Sequence, residues 1–349
     1  PYLARIEADD CRFATRIELL RIRRRYDSMA ATTAGDTHRD RQDDLRFLKP
    51  SDDPDSMGRL QQYEILSIVG RGGLGVVLKA RDTRLDRIVA IKVPASEYAA
   101  NGLAKQRFLR EAKAAAAVSH DHVVTIHAVD EAEGIPFLVM ELVVGVSLQD
   151  KINADGALPL KEILRIGMQT AAGLAAAHKQ GLVHRDIKPA NILLENGIQR
   201  VKLTDFGLAR AVDDVSMTQT GTVAGTPQYM SPEQAHGDTV DHRSDMFSFG
   251  SVLYAMCTGR AAFRARSTPA VLRRVCEEEP KPVCEVNEDL PQWLSHIVDK
   301  LLAKDVELRF QTATEVEELL GQYLAHLQEP STVPLPKSVG AMPHRASST

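Results

Sequence analysis

The chain has 349 residues, 44% of them hydrophobic and 26% charged, with a formal net charge of -4. Such a balance fits a soluble globular protein of one large or two smaller domains, and its mild acidity leaves no basic excess to neutralise a nucleic-acid backbone. Cys11, Cys257, Cys276 and Cys284 form no CxxC pair, so reduced thiols in a cytoplasmic setting are expected rather than a disulfide frame or a zinc site.

No apolar run approaches the ~18 residues of a membrane-spanning helix, and no secretory signal is visible. The chain begins with Pro1, which suggests a piece of something longer and leaves room for a membrane anchor outside it. Residues 1–28 set Ile6, Phe13, Ile17, Leu19, Leu20 and Ile22 among arginines, the pattern of a short amphipathic helix with a basic end. From Ala30 to Gly58, Asp, Arg, Ser, Thr and Pro prevail, with too few apolar residues to offset the entropy of ordering. Residues 1–60 therefore read as an N-terminal extension, a short helix followed by a disordered linker. Within it, Leu45, Phe47 and Leu48 either dock on the folded domain or stay solvated.

The folded part is expected to open at Tyr63. Tyr63 to Val69 has the pattern of a strand, Gly70-Arg71-Gly72-Gly73-Leu74-Gly75 is a glycine loop, and Val76 to Ala80 resumes a strand. A dinucleotide-binding loop runs from strand into helix, so strands on both sides argue against that fold. Glycines here let backbone N–H groups close over phosphates, or simply make a hairpin. Ile88 to Val93 is the next strand, with Ala90 and Lys92 on one face. Residues 104–118 have helical character and carry Glu111, a candidate partner for Lys92. His120, His122 and His127 fit no strong metal spacing.

Phe137 to Val144 is a nearly continuous apolar strand broken by Glu141, and Leu158 to Gln180 has helical spacing. Next comes His184-Arg185-Asp186-Ile187-Lys188-Pro189-Ala190-Asn191, predicted as a tight polar loop between two buried strands at Leu182-Val183 and Ile192–Leu194. Asp186 offers a carboxylate to take a proton, Lys188 a cation to meet a phosphate, and Asn191 an amide oxygen to hold a metal. A strand from Val201 to Thr204 ends in Asp205-Phe206-Gly207, and Asp205 with Asn191 supplies oxygen ligands suited to Mg²⁺.

In this order, Gly70 to Val77, Val89-Ala90-Ile91-Lys92, the His184 octapeptide, Asp205-Phe206-Gly207 and Ser231-Pro232-Glu233 resemble the signature set of protein kinases, over residues 63 to about 328. The resemblance implies an α+β bilobal fold: a small five-stranded β lobe with one main helix (63–143) and a larger, mostly helical lobe (144–328). Residues 329–349, rich in Pro, Ser and Thr, would form a disordered tail, as a juxtamembrane linker does. It also implies ATP held between the lobes. Val69, Gly70, Arg71, Gly72, Gly73 and Gly75 would cover the phosphates. Val77 and Ala90 would lie above adenine and Leu193 below it, with Met140 as gatekeeper and Glu141 to Val143 as hinge.

By the same resemblance, Lys92 would grip the phosphates and pair with Glu111. Asn191 and Asp205 would hold Mg²⁺, for which Mn²⁺ can substitute, and Asp186 would accept the hydroxyl proton. Lys188 and the Gly225–Glu233 segment are similar to the serine/threonine class, with Thr226 expected to contact Asp186 and Lys188. Arg185 beside Asp186 implies control by phosphorylation at Thr218, Thr220 or Thr222, since a guanidinium there needs an anionic partner. Asp245 would support the catalytic loop, and Arg309 would pair with Glu233.

The expected partners are proteins with Ser/Thr acceptors and a second copy for trans-autophosphorylation. The loop is similar to those of bacterial receptor-type kinases. Two departures, Ser231 for the usual alanine and Asp121 where proline is common, touch no chemistry. A pseudokinase acting as an ATP-responsive binding module is the alternative, disfavoured because Lys92, Glu111, Asp186, Asn191 and Asp205 are all present; a small-molecule phosphotransferase is disfavoured by Lys188 and Ser231-Pro232-Glu233.

Overall fold

Short alternating runs of aliphatic and polar residues build the first sheet. In the computed structural model, which describes residues 45–72, 75–95, 102–195, 200–206 and 226–337, the chain divides into Pro1–Leu48 and Lys49–Thr349. In the first unit the described residues are a turn in which Leu48 N–H donates to Leu45 C=O at 3.0 Å. The amphipathic helix expected over 1–28, Gly73, and Thr218, Thr220 and Thr222 lie outside the described residues.

In the second unit, β1 (Gly58–Leu60), β2 (Tyr63–Gly72), β3 (Gly75–Asp82), β4 (Arg87–Pro94), β5 (Ile126–Ala132) and β6 (Ile135–Glu141) pair antiparallel in the order β1-β2-β3-β4-β6-β5. The sheet thus has six strands where five were expected. The addition is β1, from a stretch that composition assigns to a linker. Polar bonds rather than apolar burial secure this stretch: Ser51 Oγ and Ser56 Oγ both donate to Glu64 Oε2, at 2.6 and 2.8 Å. Arg81 reaches Asp53 at 2.6 Å, and Lys49 bridges to Arg59. A count of apolar residues does not register side-chain hydrogen bonds, which is why the segment looks unstructured in sequence.

Helix α1 (Gly102–Ala116) lays Ala104, Phe108, Ala112 and Ala115 on the sheet at three- and four-residue spacing. Beyond β6 the chain turns helical, with α2 (Leu148–Asp155), α3 (Leu160–Lys179), α4 (Pro232–His236), α5 (His242–Thr258), α6 (Thr268–Glu277), α7 (Val283–Val286), α8 (Gln292–Leu301) and α9 (Ala313–Gln328). Every residue of α5 from Ser244 to Cys257 is buried, so this helix is the axle of the larger lobe. It can sit so deep because Gly250 lets α8 approach: a Cβ there would lie 2.6 Å from Leu301 Cβ.

A second sheet, β7 (Gly145–Ser147), β8 (Ile192–Glu195) and β9 (Arg200–Leu203), lies at the entrance to this lobe. Leu182 and Val183 are not in a strand, contrary to expectation. The polar loop instead runs from the end of α3, through Gly181 at φ 72° and a short 3₁₀ turn at Pro189–Asn191, into β8. Residues 329–337, expected as tail, begin in a turn with Thr332 N–H donating to Glu329 C=O at 3.2 Å, and His326 Nδ1 meets Val333 C=O at 2.7 Å.

Candidate active site

Asp245, buried near the start of α5, organises the loop from Val183 to Asn191. Its carboxylate accepts His184 N–H at 2.8 Å, Arg185 N–H at 2.7 Å and His178 Nε2–H at 2.7 Å, which bears out its expected supporting role. Arg185 is held at φ 66°, a left-handed conformation that costs a non-glycine residue roughly 1–3 kcal/mol. The Asp245 bond on its N–H and Gln234 Nε2 on its C=O, at 2.8 Å, maintain it. His184 is fully buried, and burial holds its imidazole well below the usual range against the pull of Asp245 and Asp186. The neutral ring donates from Nε2 to Thr204 C=O at 2.9 Å and accepts Asp186 N–H at Nδ1, at 3.3 Å. One imidazole therefore ties the loop to the strand that leads into Asp205.

On this frame Asp186 Oδ2 is 2.8 Å from Lys188 Nζ and 2.9 Å from Asn191 Nδ2, and Nδ2 also donates to Asp186 C=O at 2.8 Å. With Nδ2 spent on Asp186, Asn191 has its Oδ1 left as an acceptor. Asp205 follows β9 at φ 66° and pairs with Lys92 Nζ at 2.7 Å. Burial disfavours its charge, but the Lys92 ammonium prevails and holds the carboxyl below the usual range. An oxygen-only set of Asn191 Oδ1 and the ionised Asp205 fits a hard divalent cation such as Mg²⁺.

Lys92 differs from expectation. Among the described residues its ion pair is with Asp205, and no pair with Glu111 within 4 Å is present. A single ammonium between two acidic candidates takes the closer one, and here β9 presents Asp205 directly to β4. Thr226 differs too, since no hydrogen bond joins it to Asp186 or Lys188 among the described residues; Lys188 is engaged by Asp186 itself.

The apolar side of the cleft is also assembled. Ala90, Met140, Leu138 and Phe108 are buried in one cluster, with Val77, Leu142 and Val143 packed against it. Leu193 alternates with the buried Ile192 and Leu194 along β8 and so faces away from the core. Val69, Gly70, Arg71 and Gly72 form the exposed end of β2, where Gly70 pairs with Val77, and Gly75, at φ 131°, pairs with Gly72 and with Pro94.

Sequence reasoning missed Lys202. This buried side chain on β9 places Nζ 2.6 Å from Glu141 Oε1, and Thr125 N–H donates to the same oxygen at 2.7 Å. Burial raises the Glu141 carboxyl, but Lys202 and Thr125 pull it below its ordinary value. The Glu141 side chain is thus turned behind the strand end. No local pattern marks it, because β9 also carries Arg200 and the partner Glu141 lies 61 residues away in sequence.

The comparisons with known proteins agree with this geometry. Residues 63–320 match the model of the protein kinase domain. The chain belongs to the protein kinase family. Among its relatives is the serine/threonine-protein kinase PknB of Mycobacterium leprae, 42% identical over 260 residues that cover 73% of this chain and 42% of that protein. A probable serine/threonine-protein kinase of Clostridium perfringens is 41% identical over 256 residues, covering 73% and 37% respectively. The crystal structure of the PknI kinase domain of Mycobacterium tuberculosis superposes with a TM-score of 0.63 at 26% identity, covering 76% of this chain and 98% of that one. The kinase domain here thus spans about two-fifths of the length of these curated relatives. Among the described residues no helix is long and apolar enough to cross a membrane.

Proposed function

We propose that this kinase domain transfers the γ-phosphoryl group of ATP to Ser or Thr hydroxyls of proteins, in signalling of the bacterial receptor-kinase type. The observation that carries the reading is Asp186, a half-buried carboxylate fixed by Lys188 and Asn191 on a loop whose backbone is pinned to Asp245. The acceptor hydroxyl loses its proton to Asp186 as its oxygen bonds to the γ-phosphorus, and the bond from that phosphorus to the β–γ bridging oxygen breaks, leaving ADP. Lys188 offsets the charge that develops on the transferring group, and Lys92 moves from Asp205 to the α- and β-phosphates. Asn191 and Asp205 hold Mg²⁺ or Mn²⁺, which supplies charge neutralisation on the phosphates when bound. The backbone of Gly70 to Gly75 covers the phosphates, Val69 and Arg71 flank them, and Val77, Ala90, Met140, Val143 and Leu193 enclose the base. Glu111 takes Lys92 as its partner in the active arrangement.

Phosphorylation of Thr218, Thr220 or Thr222, read out by Arg185, switches the domain on, and two copies act on each other. The catalytic elements lie within 63–328, with β1 of the preceding 1–60 extension added to their sheet and 329–349 following as a tail. It works on the cytoplasmic face of a membrane to which a segment outside this chain anchors it. Incubation with labelled ATP and Mg²⁺, wild type beside Asp186→Asn, with mass-spectrometric mapping, tests the reading. Phosphate on Thr218, Thr220 or Thr222 in the wild type alone is the expected result. ATP binding without transfer by either protein would establish a binding module instead.

A further inference from the structure

Lys304 is a charged residue that the phosphotransfer chemistry does not use, and its surroundings are unusual for a lysine. The side chain is largely buried, with Nζ 4.2 Å from the centre of the Phe263 ring and 5.1 Å from that of Phe247, two rings stacked 5.9 Å apart at 10°. Nζ donates to Val275 C=O at 2.8 Å. Val275 lies in the last turn of α6, where carbonyls lack intrahelical partners and a cation meets the negative end of the helix dipole.

Phe247 also carries a second cation, the Arg309 guanidinium at 5.0 Å, and Arg309 Nη2 donates to Lys304 C=O at 3.2 Å. Arg309 in turn grips Glu233 of α4 at 2.8 and 2.9 Å. Helix α6 packs against α4 and against the 3₁₀ turn Pro227–Tyr229. Gln234 of α4 in turn donates to Arg185 C=O, next to Asp186, at 2.8 Å, so this packing reaches the catalytic loop.

We propose that Lys304 is a positioning residue for the protein acceptor: its ammonium pins the C-terminal end of α6 to the Glu233–Arg309 anchor, and so sets the wall on which the acceptor docks. The inference rests on the phosphotransfer reading. A methionine of the same length would pack beside the rings with no charge to desolvate, so packing alone does not account for a lysine here. What only the ammonium supplies is the directional bond to the helix end and the attraction to two ring faces. Burial pulls this ammonium down to about 8, with Arg309 adding to the fall and Glu279, Cys276 and Glu278 opposing it.

The test uses the full chain as enzyme and an isotope-labelled Asp186→Asn copy as acceptor, so that label on each is resolved by mass. Lys304→Met is expected to raise the acceptor KM about tenfold, the loss of one charge-assisted bond, while kcat and the ATP KM stay at wild-type values. Its thermal midpoint stays the same or rises. Lys304→Arg, which keeps the cation, recovers part of the acceptor KM.

In the wild type the acceptor KM rises from about pH 7 to about pH 9 as the ammonium loses its proton. Stability moves the opposite way, increasing above about pH 8, because the unfolded chain holds the Lys304 proton more tightly than the folded one. Both trends flatten in Lys304→Met. An unchanged acceptor KM in Lys304→Met, or a fall in kcat together with the thermal midpoint, would overturn the proposal. Should that variant not fold, a wild-type acceptor KM flat across this pH range would do so. A wild type that transfers no phosphate at all would instead remove the phosphotransfer reading on which it rests.

Discussion

Two charged networks lie within the same lobe and are built on opposite plans. Around Arg309, whose side chain is 0% exposed, all five guanidinium donors are used: Nε on Ala303 C=O, Nη1 on Glu233 Oε1 and Arg243 C=O, Nη2 on Glu233 Oε2 and Lys304 C=O. Ser244 Oγ adds a third hydrogen bond to the Glu233 carboxylate, at 2.6 Å. Around Asp186 the charges are partly open to solvent and satisfied by each other, Lys188 by Asp186 and Lys92 by Asp205. A closed network cannot take a new partner without leaving a buried charge unpaired, which makes it an anchor. An open one can exchange internal pairs for phosphate, metal and hydroxyl at little cost, which is what catalysis needs. Both meet at one short segment, since Gln234, next to Glu233, holds the Arg185 carbonyl.

The sharpest way to separate the two plans is to remove one charge from each. Asp186→Asn keeps the shape and can still bond Lys188 and Asn191, so the fold is expected to hold while turnover falls about 10²- to 10⁴-fold. Single-turnover phosphate transfer alongside a thermal melt reads both. A comparable loss of stability would place Asp186 with the anchors.

Glu233→Gln reverses the pattern. Removing one partner of a buried pair costs about 3–5 kcal/mol, read from denaturant unfolding, and activity falls only as the folded fraction does. The pair also sets a pH limit. Burial works against the Glu233 charge, but Arg309 and Ser244 pull its carboxyl down to about 2. Because this folded value lies below the unfolded one, the stabilisation is fully present above about pH 4.5 and drains away as pH falls toward about 2. Acid unfolding of Glu233→Gln should lack that component.

The Lys202–Glu141 pair lies between the two plans, nearly as buried as the anchor on the lysine side and next to the cleft. A double-mutant cycle of Lys202→Met and Glu141→Gln is expected to give a coupling of about 0.5–3 kcal/mol in stability. A coupling near zero would mean that the contact joins the end of β6 to β9 without holding them.

How legible the two networks are in sequence follows from their construction. The open cluster is local: Asp186, Lys188 and Asn191 fall within six residues, Lys92 lies in a short apolar strand and Asp205 just after another. The partner of Lys92 was not legible, because a choice between Glu111 and Asp205 depends on how α1 and β9 sit against β4. The anchor spans 76 residues between Glu233 and Arg309, and only the family resemblance connects them. Lys202 was invisible for the same reason, since its partner Glu141 is 61 residues away. Strand β1 was missed because Ser51, Ser56 and Asp53 act by hydrogen bonds that composition counts as polarity. The helical core needed no partner information: periodicity located α3 within two residues of its ends, Leu158 to Gln180 against Leu160–Lys179.

Cys257 offers the gentlest probe of the anchor. Its thiol is fully buried on α5, and burial raises its pKa far above the usual thiol range. Reaction with a thiol reagent therefore requires the lobe to open, since neither access nor thiolate exists in the closed state. Cys276 and Cys284, which are partly exposed, should label ahead of Cys257 in the native protein, with Cys257 silent on the same timescale. In Asp186→Asn that order is expected to hold, because an open network contributes little to closure. In Glu233→Gln, labelling of Cys257 should accelerate in proportion to the opened fraction, about tenfold for each 1.4 kcal/mol lost, provided reclosing outpaces the reagent. Equal Cys257 rates in the two variants would erase the distinction, since the Glu233–Arg309 pair would then hold the lobe no more firmly than the catalytic charges do.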